Sequence, residues 1–261
     1  MATCAIALTG CGWLNFDRGH PQDNFVNEIF SPTTPLQAAQ MATNPYDSNE
    51  RYRGVLLLAN AVFAGEDVYL RLFEASLQDE DEGVRAAGAR GLANHGNPSH
   101  AIALAALLND TSDLVRLEVT RGLQRLHNPE VVPALLRVVS PEHEESAAVR
   151  AEAADALGQY DRLDVVDTLI TALDDQDLSV NRNALRSLHT LTGQSDLGLN
   201  RSEWSRWRLT NETPSVVFAG RTDYIYPVYS RSLYYYEYLP LVPPAPIETP
   251  STPAGFPRRE N

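Results

Sequence analysis

The chain has 261 residues, room for one or two domains, and 21 basic residues set against 34 acidic ones give a formal charge of −13. That balance argues against a nucleic-acid surface, which needs a basic stripe that the sequence lacks. The two cysteines, Cys4 and Cys11, lie at the extreme N-terminus, so nothing later can form a disulfide or a thiolate metal site. No run approaches the roughly 18 apolar residues of a membrane-spanning helix.

At the start of the chain, Leu8-Thr9-Gly10-Cys11 resembles the bacterial lipoprotein signal, in which the cysteine thiol takes the lipid. The resemblance implies processing at residues 1–11, acylation of Cys11, a membrane-side tether over 12–31 and an address in the cell envelope. The stretch before Cys11 is short and carries no basic residue, unlike an ordinary signal peptide. Cys11 is therefore either a lipidation site or an N-terminal thiol of a cytosolic protein. Between Pro32 and Asn44, with Thr34 as the expected N-cap, one helix should cap the first repeat described next.

From residue 48 the chain repeats itself. Leu58, Leu92, Leu123, Leu157 and Leu188 are spaced 34, 31, 34 and 31 apart, and seven residues before them stand Arg51, Arg85, Arg116, Arg150 and Asn181. Small or β-branched residues (Gly54, Gly88, Val119, Ala153, Ala184) come three after the Arg/Asn position. On a helix these positions share one face and make a buried stripe. A second apolar helix follows each of the first four copies, over 67–77, 99–108, 130–139 and 164–173. Asp79, Asp110 and Asp175 come two residues past the last leucine of three of them and are expected to cap the next helix. One such helix pair cannot bury its own apolar face, so the copies should stack into a solenoid.

Asp81–Leu92 (DEGVRAAGARGL) and Asp113–Leu123 (DLVRLEVTRGL) resemble the HEAT-like repeat family over residues 48–192. The resemblance implies that the Arg helices line a concave side and that each Arg pairs with an acid of the neighbouring repeat. Asn181 departs from that pattern, so the ladder Arg51, Arg85, Arg116, Arg150 should stop at the last repeat. The acidic run Glu142–Glu145, in a repeat expanded by three residues, reads as a solvated turn or a partner-facing loop.

Gly193 should end the last Arg-type helix. Asn200 or Ser202 should begin a short one carrying Trp204 and Trp207, whose indoles would seal the open end of the stack. The whole solenoid with its caps then spans 32–213. Beyond it, residues 213–261 hold nine prolines, and seven tyrosines fall between Tyr224 and Tyr238. Short extended pieces are expected near Val216–Phe218 and Tyr224–Tyr229, and a disordered or polyproline-like tail after 239. The tyrosines suit either self-packing or docking to a partner.

The expected fold class is all-α, a solenoid of about five HEAT-like helix pairs with an aromatic C-terminal cap and an irregular Tyr/Pro-rich tail over 214–261. Six histidines form no H-x-x-x-H or H-E-x-x-H pair, and no nucleophile elbow or phosphate-binding loop occurs. No catalytic residue, metal site or cofactor is expected, and the chain reads as a non-enzyme. Some HEAT-like proteins are bilin lyases or their accessory subunits, but nothing beyond the repeat points to a chromophore. Two functions follow. One is a lipid-anchored envelope scaffold binding a protein partner through Arg90, Glu118, Arg121, Glu152, Asp155 and Arg186 on the Arg helices. The other is a cytosolic regulatory or lyase-accessory protein acting with an enzyme.

Overall fold

A computed structural model describes residues 33–61, 63–228 and 249–257. Cys11 and the segments 1–11 and 12–31 lie outside the described residues. The described residues from Leu36 onward form one compact unit.

The larger unit is a stack of helix pairs. Helix α1 (Pro35–Ala42) precedes α2 (Ser48–Ala59) and α3 (Asp67–Ser76). Next come α4 (Glu82–His95), α5 (His100–Ala106), α6 (Asp113–Leu123), α7 (Val132–Val138), α8 (Ala147–Leu157), α9 (Leu163–Ala172) and α10 (Leu178–Thr192). Helices α2, α4, α6, α8 and α10 carry the Arg/Asn position. They pack side by side in chain order, and α3, α5, α7 and α9 cover them. The five repeat leucines are all fully buried, as are Val55, Val119, Ala153 and Ala184. Small residues set the spacing. A Cβ on Gly54 would lie 2.2 Å from the Ala42 backbone nitrogen, and one on Gly91 would lie 2.5 Å from the Phe73 ring.

Helix starts follow the local chemistry. Asp47, Asp81, Asp177 and Asn200 accept backbone N–H bonds in the first turns of α2, α4, α10 and α11 (Arg201–Thr210). Helix α10 ends at Gly193, whose φ of 71° is the left-handed conformation expected of a C-terminal glycine. On α11, Trp204 is fully buried and its indole N–H donates to the Gly198 carbonyl at 2.8 Å. Trp207 meets it edge-on at 5.7 Å.

Two expectations change. Asp79, Asp110 and Asp175 do not cap the following helix. They accept the backbone N–H two residues on, from Asp81, Ser112 and Asp177. Those residues are the N-cap positions themselves, so each acid closes the turn one step too early to reach the helix's free N–H groups. Around Val216, the chain forms one helical turn, α12 (Pro214–Val217), instead of an extended piece. Pro214 occupies its first position, where a missing N–H costs nothing, and Val217 is buried.

Candidate functional site

Two rows of ion pairs run across the Arg helices. In the first, Arg85 grips Asp110 with Nε and Nη2 at 2.7 and 2.8 Å, while its Nη1 donates to the carbonyls of Asp79 and Glu80. Arg116 repeats this with Glu144 (2.6 and 2.8 Å) and the Asp110 carbonyl. Arg150 repeats it with Asp175 (2.8 and 2.9 Å) and the Glu144 carbonyl. Arg51 begins the row on Asp79 and the Asn44 carbonyl. Each arginine thus ties the turn before its own helix to the matching turn of the next repeat. Asn181 ends the row with its amide N–H bonds to the Ala172, Leu173 and Asp175 carbonyls. A neutral amide suits this place because the positions 25 and 28 residues on, Arg206 and Leu209, supply no acid.

Burial alone would raise the carboxyls of Asp79, Asp110, Glu144 and Asp175. The guanidinium bond, a backbone N–H and the partner arginine's charge, joined by a flanking arginine at Asp79, Asp110 and Glu144, outweigh it and hold all four below their ordinary values. Glu144, expected in a solvated turn or a partner-facing loop, is instead buried. Its signal was the spacing, because the arginine-to-acid separations alternate 28, 25, 28 and 25. The three-residue expansion supplies the longer reach, and the longer glutamate fills the place of an aspartate.

The second row gathers all six residues expected to meet a partner. Arg90 pairs with Glu118 at 2.8 Å, and Arg121 lies between Glu118 (3.3 Å) and Glu152 (3.4 Å). Arg186 pairs with Asp155 at 2.6 Å. Glu118 and Asp155 are buried, whereas 41% of the Arg90 side chain and 54% of the Arg186 side chain remain accessible. Burial raises the Asp155 carboxyl above its ordinary value, against the charge of Arg186 and a hydrogen bond from Tyr224.

The chain beyond α12 returns to the ends of the Arg helices. Thr222 N–H donates to the Thr190 carbonyl at 2.8 Å, and buried Tyr224 reaches Asp155 at 3.1 Å. Residues 249–257 fall in the stretch expected to be polyproline-like, yet they dock just past α6. Ala254 N–H donates to the Arg125 carbonyl at 2.8 Å, and His127 N–H to the Ala254 carbonyl at 2.9 Å, forming a parallel bridge between Leu126 and Ala254. The His127 ring stacks on Tyr160 at 4.8 Å and takes the edge of Phe256 at 5.4 Å. Gln159 donates its amide to the Leu123 carbonyl, so its oxygen faces His127 Nδ1 at 3.1 Å and that nitrogen carries the proton. Burial lowers the imidazole's proton affinity, and the nearby charge of Arg221 lowers it further. His127, Gln159 and Phe256 had no signal in the sequence, since they meet only across repeats, while Tyr224 belongs to the tyrosine-rich stretch for which self-packing was one of two expected uses.

Among the described residues no three His, Cys, Asp or Glu side chains converge to hold a metal ion. Nor is any described helix long and apolar enough to cross a membrane.

The model of HEAT repeats matches residues 69–146 and 142–198. This is a HEAT-repeat chain. Deoxyhypusine hydroxylase of Eremothecium gossypii is 38% identical to it over 93 residues, which are 36% of this chain and 29% of that enzyme. The HEAT-repeat chain therefore spans less than a third of the length of this curated relative. Among solved structures, the designed armadillo repeat protein YIII(Dq)4CqI is 15% identical with a TM-score of 0.49, covering 72% of this chain and all of that one. Human deoxyhypusine hydroxylase in complex with glycerol is 24% identical (TM-score 0.43, 62% of this chain and 64% of that one). In the complex of CpcE and CpcF of Nostoc phycocyanin lyase, the matched chain is 19% identical (TM-score 0.42, 69% and 81%).

The reading of the chain as a non-enzyme is corrected by the Eremothecium relative, which is named as an enzyme. That reading rested on the lack of local catalytic motifs. In a stack of repeats, side chains far apart in sequence come together, as Tyr224 and Asp155 do, so a short-motif search has little power.

Proposed function

We propose that this HEAT-repeat chain acts with an enzyme, holding a protein partner against the face of its Arg helices. The observation that carries the reading is the docking of the chain's own residues 249–257 on the repeats through main-chain hydrogen bonds. The edge of the Arg helices thus receives extended polypeptide already. The accessible parts of Arg90 and Arg186, held in place by Glu118 and Asp155, supply fixed positive charge on the Arg helices. The relationship to deoxyhypusine hydroxylase supports the link to an enzyme.

The test is copurification from the native source with the intact chain and with Arg186→Glu. An enzyme recovered with the first and lost with the second, at unchanged melting temperature, supports the reading. Equal recovery of every partner with both proteins would remove this face from it.

A second reading follows from Leu8-Thr9-Gly10-Cys11: the same protein-binding chain anchored by lipid at Cys11 in a bacterial envelope. Intact mass of the native protein beside a Cys11→Ser copy tests it. A mature chain beginning at acylated Cys11 supports the anchor, and an unmodified chain retaining Met1 refutes it.

A further inference from the structure

The hydrophobic core of the repeats extends through Val217, with Phe218 against it, and includes no residue of 249–257. Ser251, Thr252, Ala254 and Gly255 are exposed. The segment lies along the repeats with most of its residues exposed, as a bound peptide would. Three of its residues are read individually. Pro253 is buried against the repeats. Gly255 has a φ of 79°, and a Cβ there would come within 2.4 Å of Pro98 Cγ, so both the backbone shape and the space demand glycine. Phe256 lies between the His127 ring, perpendicular to it with centroids 5.4 Å apart, and the Arg221 guanidinium, 5.3 Å from its ring centroid.

The receiving surface is equally specific. Helix α6 stops at Leu123, and past its end the Arg125 carbonyl and the His127 N–H point outward, where Ala254 bonds to both. This is strand addition on a single bridge: the backbone pair supplies attachment, and the flanking side chains supply selectivity. The neighbouring Tyr226 N–H donates to the Ser251 carbonyl at 3.1 Å, and the Arg125 guanidinium covers the Tyr226 ring, closing the other side.

We propose that the surface formed by Pro98, Arg125, His127 and Arg221 is a peptide-binding site. Its ligand class is an extended segment of the form Pro–small–Gly–aromatic, occupied in cis by Pro253–Phe256 and open in trans to a partner segment of the same chemistry. The proposal rests on the protein-binding reading above and adds the sequence class of the segment recognised. The cis occupant competes with any incoming segment, so apparent affinity in the intact chain is the intrinsic affinity multiplied by the fraction of sites left open.

The experiment uses the full chain and a fluorescein-labelled peptide, PSTPAGFP, matching residues 250–257, read by fluorescence anisotropy. Gly255→Val in the chain should expel the resident segment and raise peptide affinity by roughly tenfold or more over the unmodified chain. Adding His127→Ala to that chain should abolish the gain, and a peptide with Val in place of Gly should not bind either chain. Phe256→Ala in the chain serves as a second way to weaken the occupant and should raise affinity in the same direction. If both chain variants keep the unmodified melting temperature of the repeats yet bind no peptide, or bind a scrambled peptide equally well, the site is overturned. Peptide failure with the Arg186-dependent partner still captured would sink this site alone. Loss of both would sink the protein-binding reading with it.

Discussion

Tyr224 places its hydroxyl 3.1 Å from Oδ2 of Asp155, 69 residues earlier in the chain. The carboxylate is buried on α8, and its other oxygen takes Arg186. One acid thus joins a neighbouring repeat and the returning C-terminal segment. Tyr224→Phe leaves the ring in place and removes the donor, so stability should fall by roughly 1–2 kcal/mol. Urea unfolding checks this, and an unchanged midpoint would mean that the bond contributes nothing net.

Arg150 and Asp175 are the most enclosed pair of the first row, with side-chain accessibilities of 7% and 2%. Arg150→Met strands a buried carboxylate and should cost about 3–5 kcal/mol. Asp175→Asn on top of it removes the stranded charge and should restore part of the loss. A double variant no more stable than Arg150→Met would argue that the arginine matters for its carbonyl bonds alone.

The ladder acids also determine the acid limb of stability. Asp79, Asp110 and Asp175 are held below their ordinary value of 3.8, and Glu144 below 4.5. A folded-state value below the unfolded one means stabilisation that is complete above the ordinary value and is lost as pH falls through the depressed one. His95 and His127, lowered from 6.5 mainly by burial, add an earlier loss that begins as pH drops below 6.5. Asp155 runs the opposite way: its raised carboxyl favours the fold when protonated, and that contribution disappears as pH rises above 3.8. Melting temperature should therefore decline gently below pH 6.5 and steeply below pH 4. His127→Gln should flatten the first decline and leave the second.

Gly54 and Gly65 make a matched pair. A Cβ at Gly54 would strike the backbone of α1 at Ala42, while at Gly65 nothing lies within 4 Å. Gly54→Ala should cost about 1–3 kcal/mol and release α1 first, seen as loss of hydrogen-exchange protection over 36–42. Gly65→Ala should stay within about 0.5 kcal/mol of the parent.

At the other end, Trp204 is fully buried and Trp207 half-buried. Trp204→Ala should cost roughly 3–5 kcal/mol, and Trp207→Ala distinctly less, by the same unfolding measurement. Equal effects would remove the distinction between an indole that closes the stack and one that covers it.

The repeated architecture is local information, and so the sequence carries it openly. Helical periodicity, the leucine seven residues after the Arg/Asn position of each repeat and the small residues between them recur in phase, and they alone determine that α2, α4, α6, α8 and α10 stack through one buried stripe. The recurrence of Arg51, Arg85, Arg116 and Arg150 and its break at Asn181 were legible for the same reason, whereas their pairing with acids of the next repeat was implied only by the resemblance to HEAT-like repeats; Gly193 and Trp204 carried their roles in residue type. Everything that depends on partners across repeats was decided by the tertiary structure. Asp79 and its equivalents turn to the arginines because those are one helix away in space and 25 or 28 residues away in sequence. Glu144 joins them at the spacing that the other acids keep, although its acidic neighbours read as a solvated turn or a partner-facing loop. The docking of Pro253–Phe256 beside His127 joins residues more than 120 positions apart. Such contacts follow from how the stack presents the ends of its helices, where free backbone groups must find partners, and no periodicity in the chain announces which segment will supply them.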